Sequence, residues 1–411
     1  MTVIRVPRFT SGRHDRLTYT FNNRISGQPQ QLSAEDIMVS LPFTRSLRFT
    51  TGTELELQLI DRNDTRLVDK ADIVLADMAH TQQIKHELTK SMIELNSSVH
   101  SSVFKLHEEL SLLACNVREV ARKHGCDVTG GGRHLDGDWR EQVISDLQRH
   151  QNLAVRYGYI TKMACVFGQH IHIGVQDGDD AIYLCHALIP YLPHLVALSA
   201  SSPWLDGVDT SFSSSRFTGQ NAFLNSELIE NIYNWDEFVV FYNEMIDVGI
   251  IKSIKDIYWY VRPQPALGTI EIRICDMPLT IFHAAMLTGY SKILAQYLLA
   301  NRTNIVKKHH AIEKYNIFNA RRDGLQASYV NTLTRQRQSL ASQILQTVEN
   351  LSLRTHSDED KYVLQYIARY VKKGINDSDR IRSMIKRAVD LNTVMERMRK
   401  MLLSAPKNYK K

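Results

Sequence analysis

The sequence predicts an α+β domain, and three observations predict it. Short segments with strict two-residue apolar alternation recur through the first 280 residues, interleaved with stretches of helical period. The last hundred residues show helical period alone. Strands and helices that are mixed first and then give way to helices suit α+β better than a repeating βαβ architecture. The third observation is chemical: carboxylates recur among the polar members of the alternating segments, beside two histidines and one arginine, and lysine is absent.

Residues 1–47 form a basic, turn-rich extension, with Gly12, Gly27 and a Leu41–Pro42 step. Residues 48–400 read as one domain. TGTELELQLI (51–60) alternates and predicts a strand, as does MIELNSSV (92–99), with a helix expected over 76–90 between them. SVFKLHEELSLLACNVREVARKH (102–124) has a 3.6-residue apolar repeat and stops before Gly125, so it predicts a helix. GCDVTGGGRHL follows as a turn beside a short strand. A helix is expected over 139–155, a strand over VFGQHIHIGV (166–175), and a helix interrupted by Pro190 and Pro193 over 182–201. SSPWLDGVDTSFSSSRF is a long polar loop, of a length usually tied to function or disorder. GTIEIRICDMP (268–278) is the last strand, and a helix of about 20 residues follows Pro278. Ile381, Met384, Ile385, Ala388, Leu391, Met395, Met398 and Leu402 then recur at helical spacing, and 401–411 is a basic tail.

Composition sets bounds. With 411 residues, 43% apolar and 23% charged, the chain has the profile of a water-soluble globular protein. No twenty-residue apolar run predicts a membrane span, and the first residues lack a secretory pattern, so the expected location is the cytoplasm. Five widely spaced cysteines suggest neither a disulfide framework nor a CxxC zinc site. A net charge of +6, not focused in aromatic-interleaved patches, suits a small anionic substrate better than nucleic acid.

The strand faces carry the functional signal. Glu54, Glu56 and Gln58 lie opposite Leu55, Leu57 and Leu59; Met92, Glu94 and Asn96 share a face; His170 and His172 lie opposite Ile171 and Ile173; Glu271, Arg273 and Cys275 lie opposite Ile270, Ile272 and Ile274. A sheet with one solvated face shows the same pattern. Converging carboxylates would repel unless cations sit among them, and Mg²⁺ takes oxygen ligands and arrives with phosphates. Both readings, solvated sheet and floor of a metal–nucleotide site, fit the residues. GGGRH (130–134) reads either as a phosphate cradle or as a tight turn; it is not followed by GK[ST]. No GxSxG, HExxH or dinucleotide fingerprint occurs, and Cys275 reads as structural.

Taken in order, GTELELQL (52–59), IELNSS (93–98), GGRHLDG (131–137), FGQHIHIGV (167–175), SASSPWLDGVDTSFSSSR (199–216) and GTIEIRICDMP (268–278) resemble the glutamate–cysteine ligase type 2 family of carboxylate–amine ligases; NARRDGL (319–325) and NDSDR (376–380) match more weakly. The resemblance implies a glutamine-synthetase-like fold, in which a curved antiparallel sheet forms a funnel with helices outside. It implies Mg²⁺ at Glu54, Glu56, Glu94 and Glu271. It places His170, His172, Arg273 and Arg322 at ATP, and Glu271, Arg273, Arg216 and Asp209 in catalysis, with Asp209 or a glutamate accepting the proton of the amine. Two positions depart from the family pattern: Arg133 stands where threonine is expected and Leu135 where proline is. The implied reaction is ATP-dependent amide formation through an acyl phosphate, with glutamate as donor and cysteine or another amine as acceptor. The implied partners are small amino acids and a second copy of the chain, not nucleic acid or membrane. A phosphagen-type kinase, which would release no free phosphate, and a non-catalytic nucleotide-binding scaffold remain as alternatives.

Overall fold

The structure is a computed structural model and describes residues 41–78, 82–305 and 310–406. Most of the expected N-terminal extension (1–40) and the end of the basic tail (407–411) lie outside the described residues. The described residues fall within one unit, Ser40–Lys411. Residues before 48 already belong to it, because Thr44 N–H donates to Pro265 O and Ser46 N–H to Val175 O.

Seven strands form the central sheet: β1 (Thr51–Asp61), β2 (Ile84–His86), β3 (Met92–Asn96), β4 (Cys126–Thr129), β5 (Gly168–Gly174), β6 (Val261–Gln264) and β7 (Thr269–Asp276). The order is β6-β7-β5-β1-β3-β2, with β4 also on β1, and every pair is antiparallel. The sheet is open rather than closed into a barrel. β1 is rich in Leu, Glu and Gln, which favour helix locally. Its two-residue period wins because Leu55, Leu57 and Leu59 all become fully buried on one face. Burial of each such side chain is worth about 1.5–3 kcal/mol, more than the propensity deficit. Ile93, Leu95, Ile171, Ile173, Ile270 and Ile272 join that face at no exposure. Helices α1 (Val103–Lys123) and α3 (Ile281–Ala300) supply much of the opposing apolar surface.

Antiparallel register then lines up the polar residues. Glu56 lies opposite Glu94, Glu54 opposite both Asn96 and His170, and Glu271 opposite both His172 and Arg262. A register shift between Ile272 and Cys275 breaks the expected alternation of β7. Cys275 therefore leaves the polar face, pairs with Gln169 and joins the apolar core.

Several expected elements differ. Residues 76–90 are not one helix: a short helix, Ala71–Ala76, is followed by edge strand β2, whose pairing with β3 overrides local preference. The helix expected over 139–155 is a 3₁₀ turn, Trp139–Glu141, followed by α2 (Gln148–Tyr157). The helix expected over 182–201 is interrupted as the prolines predict: Gly178–Ala187 ends and the chain bends by 42° into a 3₁₀ turn and the helix Leu192–Ser199, with Pro190 and Pro193 at first-turn positions where a missing N–H costs nothing. The helix Trp235–Asp247 and the strand β6 had no sequence expectation. The C-terminal apolar repeat is two helices, Asp377–Arg387 and Leu391–Met401, the second capped by Asp390 accepting from Thr393 N–H. Among the described residues no single helix is long and apolar enough to cross a membrane.

Candidate active site

The polar sheet face opens into a cavity of about 1020 Å³. Glu54, Glu56, Glu94, His170, His172, Glu271 and Arg273 all line it. Seven of the sequence-predicted site residues are thus brought together by four strands.

At the centre, His170 Nδ1 lies 2.9 Å from Glu54 Oε2, and His172 Nε2 lies 3.4 Å from Glu54 Oε1. Burial would raise the Glu54 pKa, but hydrogen bonds and charge from the two imidazoles outweigh it and hold the carboxyl below the usual range. Toward β2 the balance reverses. Burial and the neighbouring Glu56 push Glu87 up to about 7. Burial, then Glu54 and Glu87, raise Glu94 well above its ordinary value. Toward β6, Glu271 is closed in by its own chain. Arg262 Nε donates to Glu271 Oε2 at 2.8 Å and Arg262 Nη2 to Oε1 at 3.3 Å, while Gln264 and Arg273 also donate to it. Burial opposes ionisation there, yet the two guanidiniums hold Glu271 well below the usual carboxylate range.

Three sets of donors have their atoms within 4.8 Å of one another: Glu54, Glu94 and His170; Glu54, His172 and Glu271; Glu56, Glu87 and Glu94. Nε2 of His170 and of His172 is buried without a close, well-aligned partner, 3.7 Å from Glu56 Oε1 and 3.4 Å from Glu54 Oε1 respectively. Oxygen-rich donor sets with crowded, protonation-prone carboxylates fit a hard divalent cation such as Mg²⁺.

The remaining expected site residues are elsewhere. Arg216 is 1% exposed and lies beneath the floor, its Nη1 donating to Arg273 O at 3.1 Å and its Nη2 4.0 Å from Glu56. A Cβ at Gly168 would stand 2.1 Å from that guanidinium, so only glycine allows Arg216 to lie flat there. Asp209 is not among the cavity-lining residues; it is partly exposed and receives Arg382 Nη2 and Nε at 2.7 and 3.0 Å. Arg322 is exposed, donates to Ser211 O and stacks over Phe212, on the same outer surface as Asp209. The serine-rich loop that carries Asp209 and Arg216 is knitted to the sheet end through Asp276, which accepts from Ser201 N–H, Ser202 Oγ and Ser214 Oγ at 3.0, 2.7 and 2.8 Å.

The GGGRH segment is a tight turn and not an anion cradle. Gly131 N–H donates to Met277 O and Gly132 N–H to Ser201, so both amides are occupied. A Cβ at Gly130 would stand 2.4 Å from Pro278 O. Arg133 is buried rather than directed outward, with Nη2 3.4 Å from Ser215 O and no partner at Nε.

Sequence reasoning missed Glu87, Arg262 and Gln264, which all line the cavity. Arg262 and Gln264 had a signal, a two-residue spacing just before the β7 hairpin, but Pro263 argues against a strand interior. In the structure β6 is the edge strand, where proline is tolerated. Glu87 was hidden by the helical reading of its segment.

The profile of glutamate–cysteine ligase family 2 (GCS2) matches residues 50–400. A protein of Legionella pneumophila (strain Corby), named as a provisional glutamate–cysteine ligase 2-1, is 42% identical over 315 residues, which is 76% of this chain and 82% of the relative. A second Legionella pneumophila relative (strain Lens), provisionally named glutamate–cysteine ligase 2-2, is 38% identical over 375 residues, 90% of this chain and 98% of its own length. Among solved structures, the glutamate–cysteine ligase of Francisella tularensis in complex with AMP superposes with a TM-score of 0.65 at 14% identity, covering 87% of this chain and 89% of that one. A bifunctional glutathione synthetase from Pasteurella multocida gives 0.61 at 13% identity, covering 86% of this chain and 52% of that one. The two structures agree with the expected fold, and the profile and relatives fix the lineage: the chain belongs to glutamate–cysteine ligase family 2 and is a ligase of the carbon–nitrogen bond-forming class.

Proposed function

We propose that the cavity joins the side-chain carboxylate of glutamate to an amine such as cysteine, with ATP as co-substrate. A donor carboxylate oxygen attacks the γ-phosphorus and ADP departs. The amine nitrogen then attacks the acyl phosphate carbon, phosphate departs and the amine proton passes to a base. The observation that carries this reading is the surplus of carboxylate on the floor. Glu54, Glu56, Glu87 and Glu94 converge around two histidines, with a single guanidinium, Arg216, 4.0 Å from Glu56.

Glu54, Glu56, Glu87 and Glu94, with His170 and Glu271 beside them, would hold Mg²⁺. When bound, Mg²⁺ draws charge from the phosphate oxygens and offsets the crowded carboxylates. His170 and His172 keep Glu54 ionised and oriented. Arg262 fixes Glu271, which in turn holds Arg273 at the cavity wall, where its side chain remains 17% exposed. Arg216 supports Glu56 from below. Asp209, bound to Arg382 outside the cavity, is not positioned to accept the amine proton; the cavity carboxylates are.

The test is free-phosphate release from Mg·ATP across an amino-acid panel, with glutamate alone and then paired with each amine, and mass detection of products. Phosphate together with a condensed product is expected for glutamate plus an amine. ATP loss with a phosphorylated acceptor and no free phosphate would replace the ligase reading with a kinase. No turnover with any pair would remove it.

A further inference from the structure

The cavity carries cations as well as carboxylates, and they differ in what holds them. Arg262 and Arg273 are tied to Glu271. Lys85 donates to Asn96 Oδ1 at 3.3 Å. Arg149 and Lys255 also line the cavity, and among the described residues neither has a carboxylate within ion-pairing distance. They are neighbours, since Arg149 Nη2 donates to the backbone O of Lys255 at 3.3 Å.

Both side chains are exposed at the cavity, and the backbone that carries them is anchored by buried neighbours. Arg149 stands in the first turn of α2, and the next residue, His150, is buried with Nδ1 2.6 Å from Ser145 Oγ and Nε2 3.5 Å from Glu87. Lys255 sits in a 3₁₀ turn closed by a capping box between Ser253 and Asp256. Beside them the Tyr258 hydroxyl is buried and has no hydrogen-bond partner. Leu153, Phe223 and Ile254 fill out this wall, with the Phe223 and Tyr258 rings 4.9 Å apart.

We infer that Arg149, Lys255 and Tyr258 form the subsite that takes the α-carboxylate of an amino-acid substrate. The inference rests on the proposed ligase reading and deepens it. A planar fork, a point charge and one neutral donor suit a small two-oxygen anion. The apolar surround suits aliphatic carbons. The acidic floor, by contrast, admits phosphates accompanied by a divalent cation and repels a bare carboxylate. The positive end of the α2 dipole adds to the field at the same wall.

The test compares the wild-type protein with Arg149→Gln and Tyr258→Phe, both of which leave the sheet untouched. Probes are glutamate, cysteine and the α-amide of each. For Arg149→Gln, KM for one of the two amino acids should rise by about tenfold or more, the size expected for a lost charged hydrogen bond. KM for ATP and kcat should change by less than about threefold. The wild-type preference for the acid over its α-amide should fall to near unity. Tyr258→Phe should act in the same direction by about threefold. Whether the glutamate or the cysteine KM moves tells donor from acceptor. A rise in KM for ATP instead would assign the wall to phosphate and overturn the inference, as would an undiminished preference for the acid in Arg149→Gln. Calorimetric binding of the same four probes, with a non-hydrolysable ATP analogue present, reads the subsite without turnover. Binding that depends on Arg149 in a protein that does not ligate keeps the subsite and drops the ligase reading. Ligation with no Arg149 dependence does the reverse, and a wild-type protein that binds acid and amide alike overturns the subsite.

Discussion

Two charge clusters, one buried and one partly buried, lie a few strands apart on one sheet face, and they are built on opposite principles. Around Glu271 the chain supplies its own counter-ions: Arg262 and Arg273 close on one carboxylate, which stays ionised. Around Glu87 and Glu94 the chain supplies more carboxylates, and both groups are pushed toward the protonated form. Burial opposes ionisation in both clusters, although Glu271 is 1% exposed and Glu87 and Glu94 are only partly buried. What differs is whether the compensating charge comes from inside the protein or from outside. The closed cluster is therefore part of the folded scaffold that holds Arg273, and the open one is the part that a bound cation would complete under the proposed function.

Removing Glu271 should break this contrast most severely. Glu271→Gln would leave Arg262 and Arg273 buried without an anion, and loss of one partner from such a pair costs about 3–5 kcal/mol. Sequence reasoning alone would expect this variant to fold normally and lose only catalysis; the two arginines change that expectation. Chemical denaturation should show the loss of stability, and Glu271→Gln combined with Arg262→Met should recover part of it. A stability within about 1 kcal/mol of wild type would show that the cluster is not the closed unit drawn here.

The open cluster should respond in the other direction. Glu94→Gln removes one crowded carboxylate, so the metal-free protein should be no less stable, while turnover falls by about a hundredfold or more, as for loss of a group that acts on developing charge. The pH dependence follows from the sign of the shifts. Folded-state pKa values raised above the unfolded value mean that the contribution of Glu87 is fully present below about pH 4.5 and is lost as pH rises through about 7, and that of Glu94 is likewise lost as pH rises. Glu54, shifted downward, loses its contribution only at lower pH and does not cancel this trend. Buried His150 and His194, held down to about 4 and about 3, act the other way between pH 5 and about 6.5, so the melting temperature of metal-free wild type should fall relative to that of Glu94→Gln between pH 5 and pH 8. Mg²⁺ should restore it at pH 8. A metal-free difference from Glu94→Gln that is level across this range, or a wild-type melting temperature indifferent to Mg²⁺, would count against an open cluster.

The same contrast explains what the sequence shows and what it hides. Glu54, Glu56, Glu94, His170, His172 and Glu271 are legible because period-two alternation is a local property, and all six fall on the face it predicts. The long helices Val103–Lys123 and Ile281–Ala300 are legible for the same reason, with a strong periodic pattern or an apolar run and clear ends. Arg262 and Glu87 depend on short edge strands whose pairing is set by distant residues, so local pattern misplaces them. Cys275 is misplaced by a single bulge. Asp209 and Arg322 show the limit of motif resemblance. The serine-rich motif is present, but in the structure its serines hold Asp276 and its acid faces outward.

That outward acid gives the smallest expected effect and the sharpest check on the boundary of the site. Asp209 and Arg382 form a partly exposed ion pair, a class worth about 0–1 kcal/mol. Asp209→Asn should thus shift stability by no more than that and change kcat by less than about twofold, because nothing connects Asp209 to the cavity floor in this arrangement. The neighbouring Arg382→Gln should leave kcat equally unchanged and cost somewhat more stability, since it also removes the bond from Arg382 Nη2 to Phe212 O. If steady-state kinetics instead showed a loss of a hundredfold for Asp209→Asn and not for Arg382→Gln, the carboxylate itself would be needed during turnover. The loop would then have to leave Arg382 and enter the cavity, and the site would consist of three charged groups in place of two.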